Sequence, residues 1–442
     1  MSSKVIRNWD GTQCWEPEKI HHPKNAEEIA ELIRRAVQDG KRLKAVGSAL
    51  SWSDIIEVPE MAIRFDGMAE VLEVDRDNRR IRVQGGTCLN QANEVLAKHG
   101  LAFDNFGSIV TQTAAGYIAT GAHGTGGKIP ILSTAIEKIR LIDGLGEVHE
   151  LDADHEPEFF SAARVNLGCL GVVTEITFGC VESFDLEERL ELVGFDTVMS
   201  DLDTYVNGNQ YCKLWWLPYT DKVQVYTYNT TDKPRGGFGF TGFLDRTGLS
   251  GALFTGMMGM GRSFPGLIPF MHDTVQRIHF HPRSRVDRSD RVIKVSSSIP
   301  IHQEAEYAIP RDKATKAIDE MRRIVLKADY RVNFPMEVRF VAADDIPMSP
   351  ANGRDSCYIG AYVGSREWAR GYFADLEALV SAYEGRPHWG KSFSLTHKQL
   401  RALYPAYDEF NRLRRRCDPH GVFRNSFVDR VFPEETPALG SL

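Results

Sequence analysis

The sequence contains a glycine-rich segment, Ala115-Gly-Tyr-Ile-Ala-Thr-Gly-Ala-His-Gly-Thr-Gly126, on which the assignment of its fold rests. A second segment of small residues, Val46-Gly-Ser-Ala-Leu-Ser51, follows a predicted strand at 42–46. Small residues let backbone N–H groups approach an anion closely, and serine and threonine add hydroxyl donors. Neither segment has the spacing of a Rossmann motif or of a P-loop. Since each segment alone is explained as well by a tight turn, only the two together favour a phosphate-binding site.

Composition restricts the class of protein further. A chain of 442 residues has room for two or three domains, because domains usually contain ~100–200 residues. Hydrophobic residues make up 42% and charged residues 26%, values that are typical of a globular protein. The 60 acidic residues outnumber the 53 basic ones, which argues against nucleic acid as the main partner.

The cysteines and the chain start indicate a compartment. The seven cysteines are widely spaced without a C-x-x-C motif, which argues against a disulfide framework or a zinc ribbon. No histidine pair has metal-ligand spacing, so no metal is predicted. The first ten residues lack an apolar run, and we expect a cytoplasmic protein. Residues 249–271 are the longest apolar stretch but are too broken to span a membrane. A buried helical hairpin is favoured there over a membrane-surface contact.

Hydrophobic periodicity predicts an α+β protein. Helices are predicted at 25–40 and 89–99, and strands at 42–46, 70–84, 139–151 and 172–178. Beyond residue 180 the pattern changes to strands at 211–230, 292–308, 331–342 and 356–363, with helices at 312–327, 366–384 and 397–416. We therefore divide the chain into residues 1–180, 181–385 and 386–442.

The glycine-rich segment and its neighbour Asn105-Phe-Gly-Ser-Ile109 resemble the flavin-binding domain of the vanillyl-alcohol-oxidase superfamily. Within it, the sequence is most similar to the aldonolactone oxidoreductases and the alditol oxidases. The resemblance covers nearly the whole chain, continuing through Asn166-Leu-Gly-Cys-Leu-Gly-Val-Val-Thr-Glu175, Pro218-Tyr-Thr-Asp221, Glu337-Val-Arg339, Pro387-His-Trp-Gly-Lys391 and Asp418-Pro-His-Gly-Val-Phe423.

This resemblance implies a two-domain fold. Residues 1–180 would form an FAD-binding domain that the segment 386–442 completes, and residues 181–385 a cap domain with an antiparallel sheet. The implied reaction is oxidation of a gulono-, galactono- or arabinono-1,4-lactone by hydride transfer to flavin N5. An alditol oxidase, a lactone dehydrogenase with another acceptor, and a flavin-fold protein without turnover are the alternatives.

The resemblance also assigns the cofactor site. Leu50 occupies the position at which many relatives carry a histidine joined covalently to the flavin, so noncovalent FAD is expected. The implied FAD-binding residues are Ala45, Val46, Gly47, Ser48, Ala49, Leu50, Ser51, Ser108, Thr113, Gly116, Ile118, Ala119, Thr120, Gly121, His123, Val172 and Val173.

Glu337 and Arg339 are the candidate catalytic pair. Side chains two residues apart in a strand point to the same face, with Met336, Val338 and Phe340 on the other. Taken alone, this pattern is typical of a solvated ion pair on a sheet surface. The resemblance instead implies contact with substrate hydroxyls, where Arg339 would stabilise developing negative charge and Glu337 would orient the substrate or accept its proton.

The resemblance places a third catalytic residue, Lys391, near flavin N1 and C2=O. It assigns substrate contacts to Ser108 and His388, and a position beside the flavin C4a–N5 edge to Gly107. A residue without a Cβ there would admit dioxygen, which favours an oxidase that produces hydrogen peroxide. The expected partners are therefore a sugar lactone or polyol and dioxygen or another electron acceptor.

Overall fold

The computed structural model describes residues 5–236, 249–278, 280, 282–294 and 300–434, and within these ranges the strands form five sheets. The helices are Ala26–Gln38, Leu89–Lys98, Ala114–Ala119, Pro157–Ala163, Phe195–Ser200, Leu202–Gly208, Leu249–Ser263, Ile268–Ile278, Ser289–Ile293, Ala314–Lys327, Arg366–Ser381, His397–Leu403, Tyr407–Cys417 and Ser426–Val431. Short 3-10 turns occur at Asp54–Ile56, Leu132–Ala135, Pro265–Leu267 and Arg311–Lys313.

The first part of the chain builds four of these sheets. A parallel sheet has the order Lys19–His21, Met61–Arg64, Leu43–Val46. An antiparallel sheet has the order Val148–Asp152, Ile136–Ile142, Val172–Gly179, Arg80–Gln84, Val71–Asp75. Two-stranded pairs join Ile6–Arg7 to Cys14–Trp15 and Leu101–Ala102 to Val181–Glu182. The two hairpins expected at 70–84 and 139–151 are confirmed.

The later part of the chain forms an antiparallel sheet of eight strands, called the large sheet below. Its order is Arg283–Arg288, Asp185–Gly194, Lys222–Thr230, Tyr211–Trp216, Met336–Val341, Ser356–Val363, Gln303–Pro310, Arg386–Pro387. The antiparallel sheet expected in this part of the chain is therefore present, and it extends two residues beyond position 385. The division of the chain into domains itself stays a prediction.

The first helix forms where its cap predicts. Asn25 adopts an extended backbone, and its side chain accepts a hydrogen bond from the Glu28 N–H at 2.9 Å. The apolar positions of this helix, Ile29 and Ile33, are fully buried against the parallel sheet in one hydrophobic cluster.

Two sequence-based assignments are wrong. The helix expected at 397–416 is two helices, because Pro405 lacks the N–H and the geometry for a helix interior. The strand expected at 292–308 begins only at Gln303, and Ser289–Ile293 is a helical turn. Residues 295–299 lie outside the described residues. A short apolar run such as Val292-Ile293 does not distinguish strand from helix.

Residues 249–278 form the helical hairpin expected from their composition, Leu249–Ser263 followed by Ile268–Ile278. Burial applies to one side only: His272 and Val275 are buried, whereas Phe264 and Phe270 are 61% and 71% exposed. A stretch this apolar need not be enclosed, because folded proteins keep much apolar area at their surface. No helix among the described residues combines the length and the apolar character that crossing a membrane requires.

The end of the chain returns to the first part. The Leu43 N–H donates to the Val422 carbonyl at 2.8 Å, and the Gly144 N–H donates to the Cys417 carbonyl at 2.7 Å. Asp418 holds the turn that makes this possible, since its carboxylate accepts the N–H groups of Val422 and Phe423. The C-terminal segment thus packs against the start of the strand Leu43–Val46 and the turn of the hairpin at 139–151.

Candidate active site

A cleft opens where the strand Leu43–Val46 ends, and it encloses about 590 Å³, part of which is open to solvent. Its walls contain many of the residues expected at the cofactor: Ala45, Val46, Gly47, Ser48, Ala49, Leu50, Ser51, Thr113, Gly116, Ala119 and Thr120. They also contain residues that the sequence analysis missed: Lys44, Ile55, Ile56, Gln112, Leu167 and Gly168. The expected residues Ser108, Ile118, Gly121, His123, Val172 and Val173 are not part of these walls.

The cleft is shaped by close backbone approaches. A Cβ on Gly47 would lie 2.3 Å from Thr113 Oγ1, so only glycine fits there. Among the other lining residues, Leu167 and Gly168 both have left-handed backbones, with φ of 54° and 64°. The cleft thus combines small residues with the buried ammonium of Lys44. This combination is suited to binding the phosphate groups of a dinucleotide. These residues therefore fit FAD.

Glu337 and Arg339 lie together on one face of the large sheet, and their side chains are only 6% and 13% exposed. Arg339 Nη2 lies 3.0 Å from both carboxylate oxygens of Glu337 and donates to Ser108 Oγ at 3.1 Å. Trp215 Nε1 and the Tyr362 hydroxyl also donate to Glu337, each at 2.8 Å.

Strand register explains this convergence. Trp215 pairs with Glu337 across one strand boundary, and Glu337 pairs with Gly360 across the next. Directly paired residues share a face, and Tyr362, two residues beyond Gly360, shares it as well. Residues from three strands therefore surround one carboxylate. Because Trp215 and Tyr362 lie far from Glu337 in the sequence, no sequence pattern predicted them as its partners.

The charges of this pair stabilise each other. Burial alone would raise the pKa of the Glu337 carboxyl, but Arg339, Lys213 and the donated hydrogen bonds lower it below its ordinary value. Burial acts to lower the pKa of Arg339, and Glu337 outweighs this effect and raises it. Both groups therefore remain charged at neutral pH.

Lys391 lies on a loop that packs against the cleft. Its ammonium forms an ion pair with Glu304 and lies 4.3 Å from the ring centre of Trp52. The Trp52 N–H donates to the Gly390 carbonyl at 2.8 Å, which ties the Lys391 loop to the cleft loop. Burial lowers the pKa of Lys391 to about 7.

Two predicted histidines meet around a buried carboxylate. His123 Nε2 lies 3.4 Å from Glu306 Oε1, and the His123 ring stacks on Tyr358 at 3.8 Å. Burial alone would raise the pKa of Glu306, but His123, His388 and Arg339 lower it to about 2. One atom each of His123, Glu306 and His388 lies within 4.8 Å of the others, a metal-compatible grouping that sequence spacing did not reveal.

Burial lowers the pKa of His388 to about 4, so this imidazole is neutral at neutral pH. Its Nδ1 accepts a hydrogen bond from the Gly390 N–H at 3.0 Å. In the neutral ring the other nitrogen, Nε2, then carries the proton. His388 therefore offers a hydrogen-bond donor to this region.

Gly107 is not a positive-φ turn residue. Its N–H donates to the Tyr117 hydroxyl at 2.8 Å, and a Cβ on Gly107 would lie 3.0 Å from the His123 carbonyl oxygen. The backbone here thus passes close to the histidine cluster, with Ser108 and its Arg339 contact immediately following.

Comparison with known proteins shows the family to which the chain belongs. The sequence profile described as D-arabinono-1,4-lactone oxidase matches residues 176–431, and that described as FAD binding domain matches residues 17–152. The chain belongs to the D-arabinono-1,4-lactone oxidase family. It is an FAD-dependent oxidoreductase, and the resemblance inferred from its glycine-rich segments is confirmed.

Relatives match over nearly the full length. The chain is 33% identical to L-gulono-1,4-lactone dehydrogenase of Mycobacterium tuberculosis, with 97% of this chain and 99% of the relative covered. It is 32% identical to L-gulonolactone oxidase of Bos taurus, with 97% and 98% covered.

Among solved structures, the crystal structure of cholesterol oxidase from Brevibacterium sterolicum superimposes with a TM-score of 0.83 at 14% identity, covering 97% of both chains. This likeness supports the fold expected from the sequence: an FAD-binding domain with an antiparallel sheet.

Proposed function

We propose that this flavoprotein oxidises an alcohol of an aldono-1,4-lactone, such as gulono-, galactono- or arabinono-1,4-lactone, and passes the electrons to dioxygen to give hydrogen peroxide. The observation that carries the proposal is the buried contact of Arg339 with Glu337 and Ser108 on the large sheet. A buried guanidinium beside two polar partners suits recognition of neighbouring hydroxyl groups. The relatives named for lactones support the substrate class.

Arg339 is the proposed stabiliser of developing negative charge. Bound FAD supplies the hydride acceptor of the reaction. The Nε of Arg339 is buried and has no hydrogen-bond partner among the described residues. A donor held in place by Glu337 and Ser108, and still unsatisfied, would serve the substrate oxygen as its proton leaves. Ser108 and the donor nitrogen of His388 would position the substrate.

The contacts of Glu337 favour an orienting role over proton acceptance. Each carboxylate oxygen already accepts from Arg339, and Trp215 and Tyr362 occupy one further site on each. A carboxylate offers about four acceptor sites, so Glu337 has little capacity left for a substrate proton. We therefore propose that Glu337 fixes the guanidinium of Arg339. Lys391, held by Glu304 and Trp52, remains the proposed cation near the flavin ring.

An anaerobic titration tests the proposed substrate. The visible absorbance of the bound flavin should bleach on addition of gulono-, galactono- or arabinono-1,4-lactone, and alditols should leave it unchanged. Bleaching by alditols alone would favour an alditol oxidase, which the same polar residues could also serve. No bleaching by either class would contradict turnover of sugar-derived alcohols.

We expect the flavin to be released when the protein is denatured. The cleft loop Ala45-Val-Gly-Ser-Ala-Leu-Ser51 offers no side-chain nitrogen or sulfur for a bond to the flavin, and Leu50 lines the cleft. Acid precipitation without proteolysis should leave the yellow colour in the supernatant. Colour that remains with the precipitated polypeptide would show that the attachment is covalent.

Gly107 supports dioxygen as the electron acceptor through the family resemblance, which implies that a residue without a Cβ at this position admits dioxygen. In an oxidase, Gly107→Ala should slow reoxidation of the reduced enzyme by dioxygen and spare its reduction by substrate. The added Cβ would lie 3.0 Å from the His123 carbonyl, a contact that a small shift relieves. Stopped-flow mixing with aerated buffer measures both steps. Parent reoxidation that is orders of magnitude slower than dye-linked turnover would instead indicate a dehydrogenase.

We also propose a cytoplasmic location. The seven cysteines, Cys14, Cys88, Cys169, Cys180, Cys212, Cys357 and Cys417, are all free thiols, which supports a reducing compartment.

A further inference from the structure

We infer that Lys44 is a binding residue for the ADP half of FAD and donates a hydrogen bond to an acceptor on that half. Lys44 belongs to the strand that leads into the cleft loop, and its side chain lines the cleft. The inference rests on the FAD-binding domain and is independent of the lactone and the electron acceptor proposed above.

The ammonium of Lys44 has no hydrogen-bond partner among the described residues. The residue is 5% exposed, and its Nζ makes no hydrogen bond within the described part of the chain. Leaving a buried charge unpaired costs several kcal/mol in general, so such a group normally has a partner. Burial lowers the pKa of Lys44 to about 8, which reflects the same cost.

The nearby acidic groups do not supply that partner. Cys169, Glu57 and Asp54 are close enough to influence Lys44 electrostatically. Burial raises the pKa of the Cys169 thiol to about 12, so this thiol is neutral at neutral pH. The Asp54 carboxylate is bound by Arg430 at 2.6 Å, and Glu57 accepts the Ser426 N–H. Both carboxylates are therefore engaged by the C-terminal segment, and the Lys44 ammonium is left to a ligand.

The direction of the Lys44 side chain shows which part of the cleft wall its ammonium faces. A Cβ placed on Gly168 would lie 2.9 Å from Lys44 Nζ, so the ammonium reaches the Leu167–Gly168 turn. That turn and the cleft loop Ala45–Ser51 both line the cleft. The flavin-proximal candidates Arg339 and Ser108 are not part of these walls. A ligand atom that contacts Lys44 therefore belongs to the end of the dinucleotide that is remote from the substrate residues. The ribose, phosphate and adenine groups of that end all offer hydrogen-bond acceptors.

Ligand titrations of the apoprotein test this inference. Apoprotein is prepared from a riboflavin-limited host, so that the experiment does not depend on how the flavin is attached. Lys44→Met keeps the length of the side chain and removes its charge. We expect the variant to bind FAD and ADP about 10- to 100-fold more weakly than the parent, as for a lost hydrogen bond to a charged group. Its affinity for FMN and riboflavin should be unchanged.

A stability measurement separates binding from a structural role. Without ligand, Lys44→Met should melt at or above the parent temperature, because an unpaired buried charge is removed. Addition of FAD should raise the melting temperature of the variant by less than it raises that of the parent. The matched control is Lys41→Met, which removes a surface charge paired with Glu18 and should behave like the parent.

Four results would overturn the inference. Unchanged FAD and ADP affinity would show that Lys44 does not contact the ligand. If riboflavin binding were weakened as much as FAD binding, the contact would lie at the isoalloxazine ring. If FMN binding were weakened and riboflavin binding were not, the contact would lie at the first phosphate. A large loss of apoprotein stability would assign Lys44 to the fold.

Discussion

Replacing Arg339 with methionine should lower kcat by ~10²–10³ and leave FAD affinity close to that of the parent. The loss of one preorganised donor to developing negative charge typically has this effect on rate. The guanidinium contacts Ser108 and Glu337, and Arg339 is not part of the walls of the FAD cleft. Steady-state kinetics with a lactone, together with a flavin titration, measure the two quantities separately.

Two comparisons sharpen this test. Arg339→Lys keeps the charge but loses the planar fork that contacts Glu337 and Ser108, so it should recover only part of the activity. Arg323→Met, which removes an exposed guanidinium paired with Asp319, should behave like the parent. If Arg339→Met folds poorly because Glu337 is left without its main counter-charge, the double variant with Glu337→Gln removes both charges. A kcat/KM comparable to the parent in either variant would exclude Arg339 from the mechanism.

Glu306→Gln should destabilise the protein at neutral pH by ~1.5–3 kcal/mol, the usual effect of losing a hydrogen bond to a charged group. Glu306 is 5% exposed and faces His123 and His388, with Arg339 near. A neutral amide removes the carboxylate charge that these side chains face. The midpoint of urea unfolding of the holoprotein measures the loss. Asp408→Asn, at an exposed pair with Arg401, is the matched control and should change it little.

The dependence on pH identifies the carboxylate as the cause. The folded-state pKa of Glu306, about 2, lies below its ordinary value of 4.5. The interactions of the Glu306 carboxylate therefore stabilise the fold fully above pH 4.5, and this contribution is lost as the pH falls towards 2. The difference between parent and Glu306→Gln should narrow over that interval. Equal midpoints at neutral pH, or a difference that acid leaves unchanged, would contradict a stabilising role of the Glu306 carboxylate.

Much of the fold could be predicted from local patterns. The cap at Asn25, the hairpins at 70–84 and 139–151, and the helix Ala314–Lys327 follow from turn residues and periodicity, and each is present. The errors arose where the hydrophobic pattern was short, or where a helix-breaking residue such as Pro405 was not taken into account. Pattern rules act over a few residues, which is why boundaries are their weakest result.

The candidate site was only partly accessible to sequence reasoning. Alternation in the strand Met336–Val341 placed Glu337 and Arg339 on one face, and that arrangement is present. The partners that hold them, Trp215 and Tyr362, come from strands more than a hundred residues before and about twenty residues after in the chain. No local pattern relates such positions.

The amino-acid types alone specify which chemical groups are available: a leucine at position 50, a glycine at position 107, and a carboxylate and guanidinium that share a strand face. The surroundings of these groups depend on the three-dimensional arrangement of the chain. That arrangement encloses the Glu337–Arg339 pair, gives Glu306 and Glu304 their partners, and leaves Lys44 without a hydrogen-bond partner among the described residues. The physical reason is that side-chain direction in a strand repeats every two residues and is local, whereas burial and charge pairing depend on which strands become neighbours.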